Sequence, residues 1–396
     1  MKQTSMDVFS SEQLEKLKHH RYHAEGTSLL EPLFQPFWKY SASKLPRWLS
    51  PNIVTLAGVL SILVPSSLLV YHTHQGSSEY VPILSLFCSL GFILWLHLDS
   101  IDGKLARLNR PNQGSPFGEL LDHGGDAITV LVASMALACQ IGLQNVPYLM
   151  LVWILVNMCT NYVSEPWTIY LIGTMQFQSL DFVEILLVMS TMSFITGVWG
   201  VAVWQTVLTK YVNLRLWHLV FGVQMLVLPD LLIGKLPSFY ALRKVNGMGL
   251  ADIFGPGVPL CVLLASVLTS YSFSSPEFIN ENIIPFVLCF GLTLTKLHVQ
   301  FILAHMMKEK FKPLDYCLAF PVTLALGIFI LHAPASEGSC LFIMLSLVAV
   351  DTGFYFVRLF YQLYYVFNER IFVLPQALTD KNRNGELHVA SGHNRN

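Results

Sequence analysis

The 396-residue sequence has few charged side chains: Asp, Glu, Lys and Arg make up 12% of it, against roughly a quarter in an ordinary soluble protein. Hydrophobic residues make up 53%, and the mean hydropathy is +0.52. The 24 basic and 25 acidic side chains are too few to cover the surface of a soluble chain of this length. The shortage of charge therefore excludes a soluble fold and predicts a membrane protein.

Other absences exclude further classes. The formal net charge is -1, so the sequence lacks the excess of basic residues that a nucleic-acid partner requires. It has seven cysteines, an odd number, and no CxxC pair, which favours small buried hydrophobic residues over a disulfide framework or a zinc site. The first fifty residues are too polar for a cleavable signal peptide.

Long apolar runs are abundant. A membrane-crossing helix needs about 20 predominantly apolar residues, and ten runs qualify, so we expect an all-α polytopic integral membrane protein. A transmembrane domain over residues 51–363 would follow an N-terminal segment, 1–50, and precede a C-terminal tail, 364–396. The ten runs lie near residues 53–71, 81–98, 117–139, 147–172, 182–205, 215–234, 251–271, 284–304, 314–333 and 340–363.

The basic residues predict the orientation of the chain. Residues 30–48 mix aromatic side chains with Lys39, Lys44 and Arg47, which is typical of an amphipathic helix at the membrane interface. With ten spans, all but three of the 24 Lys and Arg residues fall on one side. Because such residues accumulate on the cytosolic side, we expect both termini and the 99–116 loop to face the cytosol.

Acidic residues gather where the second predicted span ends and the third begins. Asp99 and Asp102 are three residues apart, and Asp122 and Asp126 are four apart, so each pair shares one face of a helix. Charge at this depth is costly and indicates function. Carboxylates converging from two helices would repel one another unless a cation lay between them. Their oxygens suit Mg²⁺ or Mn²⁺, and two such ions can neutralise a pyrophosphate.

Residues between the acids suit a phosphate ligand. Gly103 allows close approach of the backbone, and Lys104 and Arg107 supply cations for anionic oxygens. A polar turn with solvated acids is the alternative, but the regular spacing favours a site for a nucleotide diphosphate.

This pattern resembles the signature of the class-I CDP-alcohol phosphatidyltransferase family, D-x2-D-G-x2-A-R-x8-G-x3-D-x3-D. Ten residues rather than eight separate Arg107 from Gly118. The two extra residues can bulge into a loop, where they affect contacts to the nucleotide and not the helical carboxylates. The fixed positions are filled by Asp99, Asp102, Gly103, Ala106, Arg107, Gly118, Asp122 and Asp126.

Within that family the chain is most similar to the eukaryotic choline/ethanolamine phosphotransferases. The similar stretches are 20–26, 28–32, 36–38, 48–56, 118–124 and 304–306. The resemblance implies transfer of phosphocholine or phosphoethanolamine from CDP-choline or CDP-ethanolamine to diacylglycerol, giving phosphatidylcholine or phosphatidylethanolamine and CMP. This is the last step of the Kennedy pathway. The resemblance also implies ten spans, an endoplasmic reticulum or Golgi membrane and a homodimer.

The resemblance also implies roles for individual residues. Two Mg²⁺ or Mn²⁺ ions would be held by Asp99, Asp102, Asp122 and Asp126, and the CDP portion would be contacted by Asn52, Gly103, Lys104 and Arg107.

A base must accept the proton of the acceptor hydroxyl. We assign it to His123, whose imidazole accepts protons near neutral pH, and we expect Glu119, one turn earlier, to orient the ring. Asp126 is the alternative base, and a hydrogen bond from His123 to a metal-binding aspartate is the alternative role for the histidine.

Several choices stay open from the sequence. Glu165 and Glu184 would either complement a cationic headgroup or cap a helix, and an aromatic ring would contact choline through a cation–π interaction. The lipid acceptor would be diacylglycerol, ceramide or an alkyl-acyl-glycerol, and the rival class is a transporter. The aromatic candidates are Trp95, Tyr162, Trp167 and Tyr170, and a polar stripe on the eighth span comprises Lys296, His298 and His305.

Overall fold

The computed structural model describes residues 8–46, 48–109, 115–209, 211–233, 249–331 and 334–367. Within these ranges the regular secondary structure is helical, apart from two short strand pairs. The strands are β1 (Ala24–Glu25), β2 (Met175–Gln176), β3 (Val207–Thr209) and β4 (Leu214–Arg215). The helices are α1 (Ser11–His19), α2 (Glu31–Lys44), α3 (Pro51–His74), α4 (Val81–Asn109), α5 (Pro116–Gln140), α6 (Pro147–Tyr162), α7 (Thr168–Ile172), α8 (Phe182–Trp199), α9 (Leu216–Ile233), α10 (Leu250–Phe254), α11 (Val258–Phe273), α12 (Pro276–Met306), α13 (Ala319–Leu331) and α14 (Pro334–Phe367).

The described part of each of the ten predicted runs is mainly helical. Seven helical stretches of the described chain are long and apolar enough to cross a membrane. The all-α polytopic class is therefore confirmed, and the number ten stays a prediction. The seven stretches are Pro51–His74, Ser78–Leu108, Pro116–Gln140, Phe182–Trp199, Leu250–Phe273, Pro276–Met306 and Glu337–Phe367.

The fourth predicted run is broken in a way that matters for the site. A π-helical turn, Val163–Trp167, separates α6 from α7 and contains Pro166. Proline lacks the backbone N–H of a regular helix, and π turns occur often at functional sites. Glu165 lies in this turn and is only 7% exposed.

The helices α3, α4, α5 and α8 form the layer that carries the acids, with α3 packed on both α4 and α5. A glycine sets the closest approach: a Cβ atom on Gly91 of α4 would overlap the carbonyl oxygen of Ser61 on α3. The Ser61 hydroxyl donates a 3.1 Å hydrogen bond to the Gly91 carbonyl. This contact holds α4 against α3 about 12 Å along the helix from Asp99.

Two helices form in the N-terminal segment. The first, α1, is capped by Ser10, whose hydroxyl accepts from Gln13 N–H at 3.2 Å. The second, α2, covers most of the predicted interfacial helix, and its exposed side chains include Leu33, Phe37 and Tyr40. The helix is present, and its position in a membrane interface stays a prediction.

Loops predicted to lie on one side of the membrane meet at one end of the bundle. Strand β1 pairs in parallel with β2, which joins the N-terminal segment to the 173–181 loop. Lys16 of α1 lies 3.0 Å from Glu309, and Lys310 lies 3.6 Å from Asp252. The grouping of these loops agrees with the count of basic residues, and the compartment they face stays a prediction.

Candidate active site

Two helices bring the carboxylates together. Helix α4 continues without a break to Asn109, so Asp99 and Asp102 lie within the helix, just beyond the predicted end of its span. Helix α5 begins at Pro116 and is capped by Ser115, whose hydroxyl accepts from Gly118 N–H at 3.0 Å. Oxygens of Asp99, Asp102 and Asp122 all lie within 4.8 Å of one another.

The hydrogen bonding of these acids is incomplete. Asp102 accepts a hydrogen bond from the Thr55 hydroxyl on α3. One oxygen of Asp122 and one of Asp126 are buried with no hydrogen-bond partner among the described residues. A buried carboxylate oxygen without a partner is costly, and oxygen atoms are the ligands that Mg²⁺ and Mn²⁺ prefer. The cluster therefore fits a divalent cation.

The residues predicted to contact the nucleotide surround this cluster. A Cβ atom on Gly118 would lie 3.1 Å from Asn52 Oδ1, so the glycine lets buried Asn52 reach α5. A Cβ atom on Gly103 would lie 3.6 Å from the Arg107 guanidinium, and Arg107 is exposed. The ammonium of Lys104 instead donates to the Ser100 carbonyl at 2.7 Å and lies 5.2 Å from the centre of the Trp38 ring.

His123 has a partner that differs from the predicted one. Its Nδ1 atom hydrogen-bonds to Glu165 Oε1, and the imidazole is 5% exposed. The other oxygen of Glu165 accepts from Asn161 Nδ2 at 3.2 Å and lies 3.4 Å from His298 Nε2. The π turn supplies the carboxylate that orients the imidazole.

The predicted pairing of Glu119 with His123 is wrong. Both Glu119 oxygens lie 3.0 Å from His20 Nε2 in the N-terminal segment, and the His20 ring meets His305 edge-on at 5.6 Å. Spacing of i and i+4 makes two side chains neighbours on a helix, but each of these two reaches a different element. Whether Glu119 and His123 are catalytic stays a prediction.

The other polar candidates separate into different contacts. Glu184 accepts from Leu30 N–H at 2.7 Å and from Asp181 N–H at 3.0 Å, so it caps α8 and ties α2 to it. The stripe on α12 divides: His298 faces Glu165 and His305 faces His20, whereas Lys296 binds Asp351 and Tyr316.

The proposed headgroup aromatics are engaged in structural contacts. Trp95 is 3% exposed and meets Phe182 edge-on. The remaining three each make a hydrogen bond to backbone: Tyr162 donates to the Pro256 carbonyl, Trp167 donates to the Ile253 carbonyl, and Tyr170 accepts from Phe311 N–H.

Comparison with known proteins identifies the class. The model of the CDP-alcohol phosphatidyltransferase family matches residues 48–212, which include all eight fixed positions of the signature. The chain resembles this family over that stretch, and the match together with the relatives below supports a CDP-alcohol phosphotransferase, a multi-pass membrane enzyme of phospholipid synthesis. The transporter alternative is therefore wrong.

Its relatives place it in the choline/ethanolamine phosphotransferase group. The chain is 29% identical to cholinephosphotransferase 1 of Xenopus laevis, over 80% of this chain and 78% of the relative. It is 29% identical to cholinephosphotransferase 1 of Danio rerio, over 87% and 90%. It is 33% identical to choline/ethanolaminephosphotransferase 1 of Saccharomyces cerevisiae, over 49% and 50%. The predicted family and group are confirmed.

Proposed function

We propose that the protein transfers phosphocholine or phosphoethanolamine from CDP-choline or CDP-ethanolamine to the hydroxyl of 1,2-diacylglycerol, giving phosphatidylcholine or phosphatidylethanolamine and CMP. The observation that carries the proposal is the convergence of Asp99, Asp102 and Asp122 beside the buried His123–Glu165 pair. The names of the relatives supply the choice of donor.

The acids would hold two ions, Mg²⁺ or Mn²⁺. Bound ions supply positive charge to the donor pyrophosphate. Asp122 and Asp126 each bring a buried oxygen that has no partner among the described residues, which supports both of them as ligands beside Asp99 and Asp102.

Residues at the rim would bind the donor. Arg107 is exposed beside Gly103, where its guanidinium can meet phosphate oxygens in a bidentate manner. Asn52 lies against Gly118 next to the acids and offers an amide to the nucleotide. Lys104 would reach the donor only after leaving the Ser100 carbonyl and the Trp38 ring, so we expect its contribution to be smaller.

The reaction is a single displacement at phosphorus. The acceptor hydroxyl oxygen forms a bond to the β-phosphorus, the bond from that phosphorus to the oxygen bridging the two phosphates breaks, and CMP leaves with the bonding electrons. The hydroxyl proton passes to His123. Because Nδ1 is engaged by Glu165, the accepting atom is Nε2, and the Glu165 carboxylate stabilises the imidazolium that forms. Asp126 stays the alternative base.

The proposed setting is the endoplasmic reticulum or Golgi membrane, with the site facing the cytosol and the chain in a homodimer. The segment 1–50 and the tail 364–396 would flank the catalytic domain, 51–363. Helix α3 begins at Pro51, and α14 continues to Phe367. The residues after 367 lie outside the described chain.

A matrix of donors and acceptors tests the proposal. The purified protein is given CDP-choline or CDP-ethanolamine with diacylglycerol, ceramide or an alkyl-acyl-glycerol, in Mg²⁺ or Mn²⁺, and CMP release is measured. We expect release with diacylglycerol and none in EDTA. Release with ceramide alone would contradict the choice of acceptor, and the absence of release with both donors would contradict the choice of donor.

A further inference from the structure

A short segment of the N-terminal region lies beside the site and is fixed at both of its ends. We call residues 20–25 the strap. At one end His20 contacts both oxygens of Glu119 at 3.0 Å. At the other end the strap forms β1, which pairs with β2 in the loop that follows α7. The strap therefore has a defined path between two anchors.

A glycine confirms that the path is specific. Gly26 follows the strap with a φ of +88°, a conformation that favours glycine. A Cβ atom at this position would lie 2.6 Å from the carbonyl oxygen of Phe177, so a larger residue would push the strap away from the loop beneath it.

Tyr22 lies between the two anchors and beside the proposed base. Its ring centre is 6.1 Å from that of His123, and 42% of the residue is exposed. Burial around the hydroxyl raises the tyrosine pKa, and the negative charges of Asp122 and Glu119 raise it further. The ring thus stays a neutral phenol, whose electron-rich face can meet a cation.

Tyr22 differs from the aromatic residues that the sequence singled out. Trp95 is buried, and each of the others makes a hydrogen bond to the backbone of a neighbouring element. Tyr22 combines an exposed surface with a position next to His123. The negative charges acting on it also include Glu165 and Asp99.

We propose that the ring of Tyr22 binds the cationic headgroup of the CDP-alcohol donor, and that the strap positions the ring beside His123. The inference rests on the proposed function. A quaternary ammonium carries no N–H to donate, so it is recognised by aromatic faces, whereas a primary ammonium also forms hydrogen bonds to carboxylates. The ring consequently favours choline over ethanolamine as the headgroup.

The experiment compares Tyr22→Leu with Tyr22→Phe, using the KM for CDP-choline and for CDP-ethanolamine at saturating diacylglycerol. We expect Tyr22→Leu to raise the KM for CDP-choline roughly tenfold, the range of one cation–π contact, and the KM for CDP-ethanolamine by about threefold or less. Tyr22→Phe keeps the ring face and should retain the wild-type ratio of the two KM values. Tyr40→Leu, at an exposed tyrosine of α2, is the matched control.

The outcomes separate the two proposals. An inactive wild-type protein with both donors would overturn the proposed function, whatever the variants do. An active wild type whose Tyr22→Leu variant has the same ratio of KM values would overturn the role of Tyr22. An equal rise of the KM for CDP-choline in Tyr22→Phe and in Tyr22→Leu would also overturn the role of the Tyr22 ring, because the effect would then come from the hydroxyl and not from the ring face.

Discussion

Two groups of buried charged side chains in this protein differ in their partners: among the described residues, one group is paired within the protein, and the other is not. Between α12, α14 and the turn before α13, the fully buried Lys296 side chain donates to Asp351 at 2.6 Å and to Tyr316 at 2.9 Å. The Tyr316 hydroxyl donates to the second Asp351 oxygen at 2.7 Å, which closes a triangle. The acid cluster has no such closure, because Asp122 and Asp126 each keep a buried oxygen without a partner among the described residues.

The comparison distinguishes charges that stabilise the fold, as in the Lys296 triangle, from charges that would bind a ligand, as in the acid cluster. Buried charge is tolerated when it is paired and hydrogen-bonded, and the Lys296 triangle supplies its own counterions. The acid cluster gathers three carboxylates, so cations bound from outside the chain would complete it. The two regions should therefore respond differently to the same kind of substitution.

The largest effect is expected on activity at the acid cluster. Asp122→Asn should lower the rate of CMP release by about a thousandfold or more, because the bound ions supply several kcal/mol of charge stabilisation. In EDTA its unfolding midpoint should equal or exceed that of the wild type, since a neutral amide replaces an unpaired carboxylate. Rates at saturating Mn²⁺ and midpoints in EDTA check this. A large loss of stability of Asp122→Asn in EDTA would contradict this prediction, because the acid cluster would then stabilise the fold as the triangle does.

The His123–Glu165 pair shares features of both regions. Its two side chains are partners of each other, as in the triangle, but they lie beside the acid cluster. His123→Ala should lower kcat by about a hundredfold to ten-thousandfold, the range of general base catalysis, and leave binding of the CDP-alcohol nearly intact. Glu165→Gln should also lower kcat, by a smaller factor than His123→Ala does. Single-turnover rates and calorimetric binding of CDP-choline are the measurements.

The matched control is Glu119→Gln, because Glu119 is on the same face of α5 as His123 and pairs with His20. We expect it to affect KM more than kcat. Near-normal turnover in His123→Ala would contradict the assignment of the base.

At the triangle the effect should fall on stability. Lys296→Met leaves Asp351 without its counterion and should cost about 3 kcal/mol or more of unfolding free energy. Lys296→Met combined with Asp351→Leu should recover most of that loss, because both charges are then gone. Unfolding in mixed detergent micelles gives these free energies. If the double variant does not recover the free energy of unfolding, the triangle stabilises the fold by more than the pairing of its two charges.

The smallest effect is expected at the exposed ion pair between α1 and the loop after α12. Hydrogen bonds from Gln13 first and Lys16 next lower the pKa of Glu309. A lowered pKa in the folded state means that the stabilisation is present above the ordinary carboxyl pKa and is lost as the pH falls through the lowered value. Glu309→Gln should therefore flatten the acid side of the stability profile only slightly, since exposed pairs contribute little. A large change near neutral pH would contradict this.

The sequence was informative where its signals are local. The described part of each predicted apolar run is mainly helical, and the spacing of Asp99, Asp102 and Asp122 correctly indicated that their carboxylates converge. Both signals follow from helix geometry and from the cost of charge in a membrane. Each of them can be read without knowing which helices are neighbours in space.

Long-range pairings could not be predicted in this way. Glu165 is 42 residues from His123, and His20 is 99 residues from Glu119. An acid beside Pro166 in an apolar run was the available signal that α6 is interrupted, but it did not specify which histidine the acid would meet. The strap likewise depends on the pairing of β1 with β2, two strands of two residues each, which leave no periodic pattern.

The central claim is that the acid cluster is completed by divalent cations. Equilibrium binding of Mn²⁺ to the purified protein, followed by electron paramagnetic resonance in the presence of CDP-choline, tests it most directly. We predict two saturable ions per chain in the wild type, fewer in Asp122→Asn, and the wild-type number in Lys296→Met combined with Asp351→Leu. An absence of saturable binding, or an Asp122→Asn variant with unchanged binding, would contradict the account.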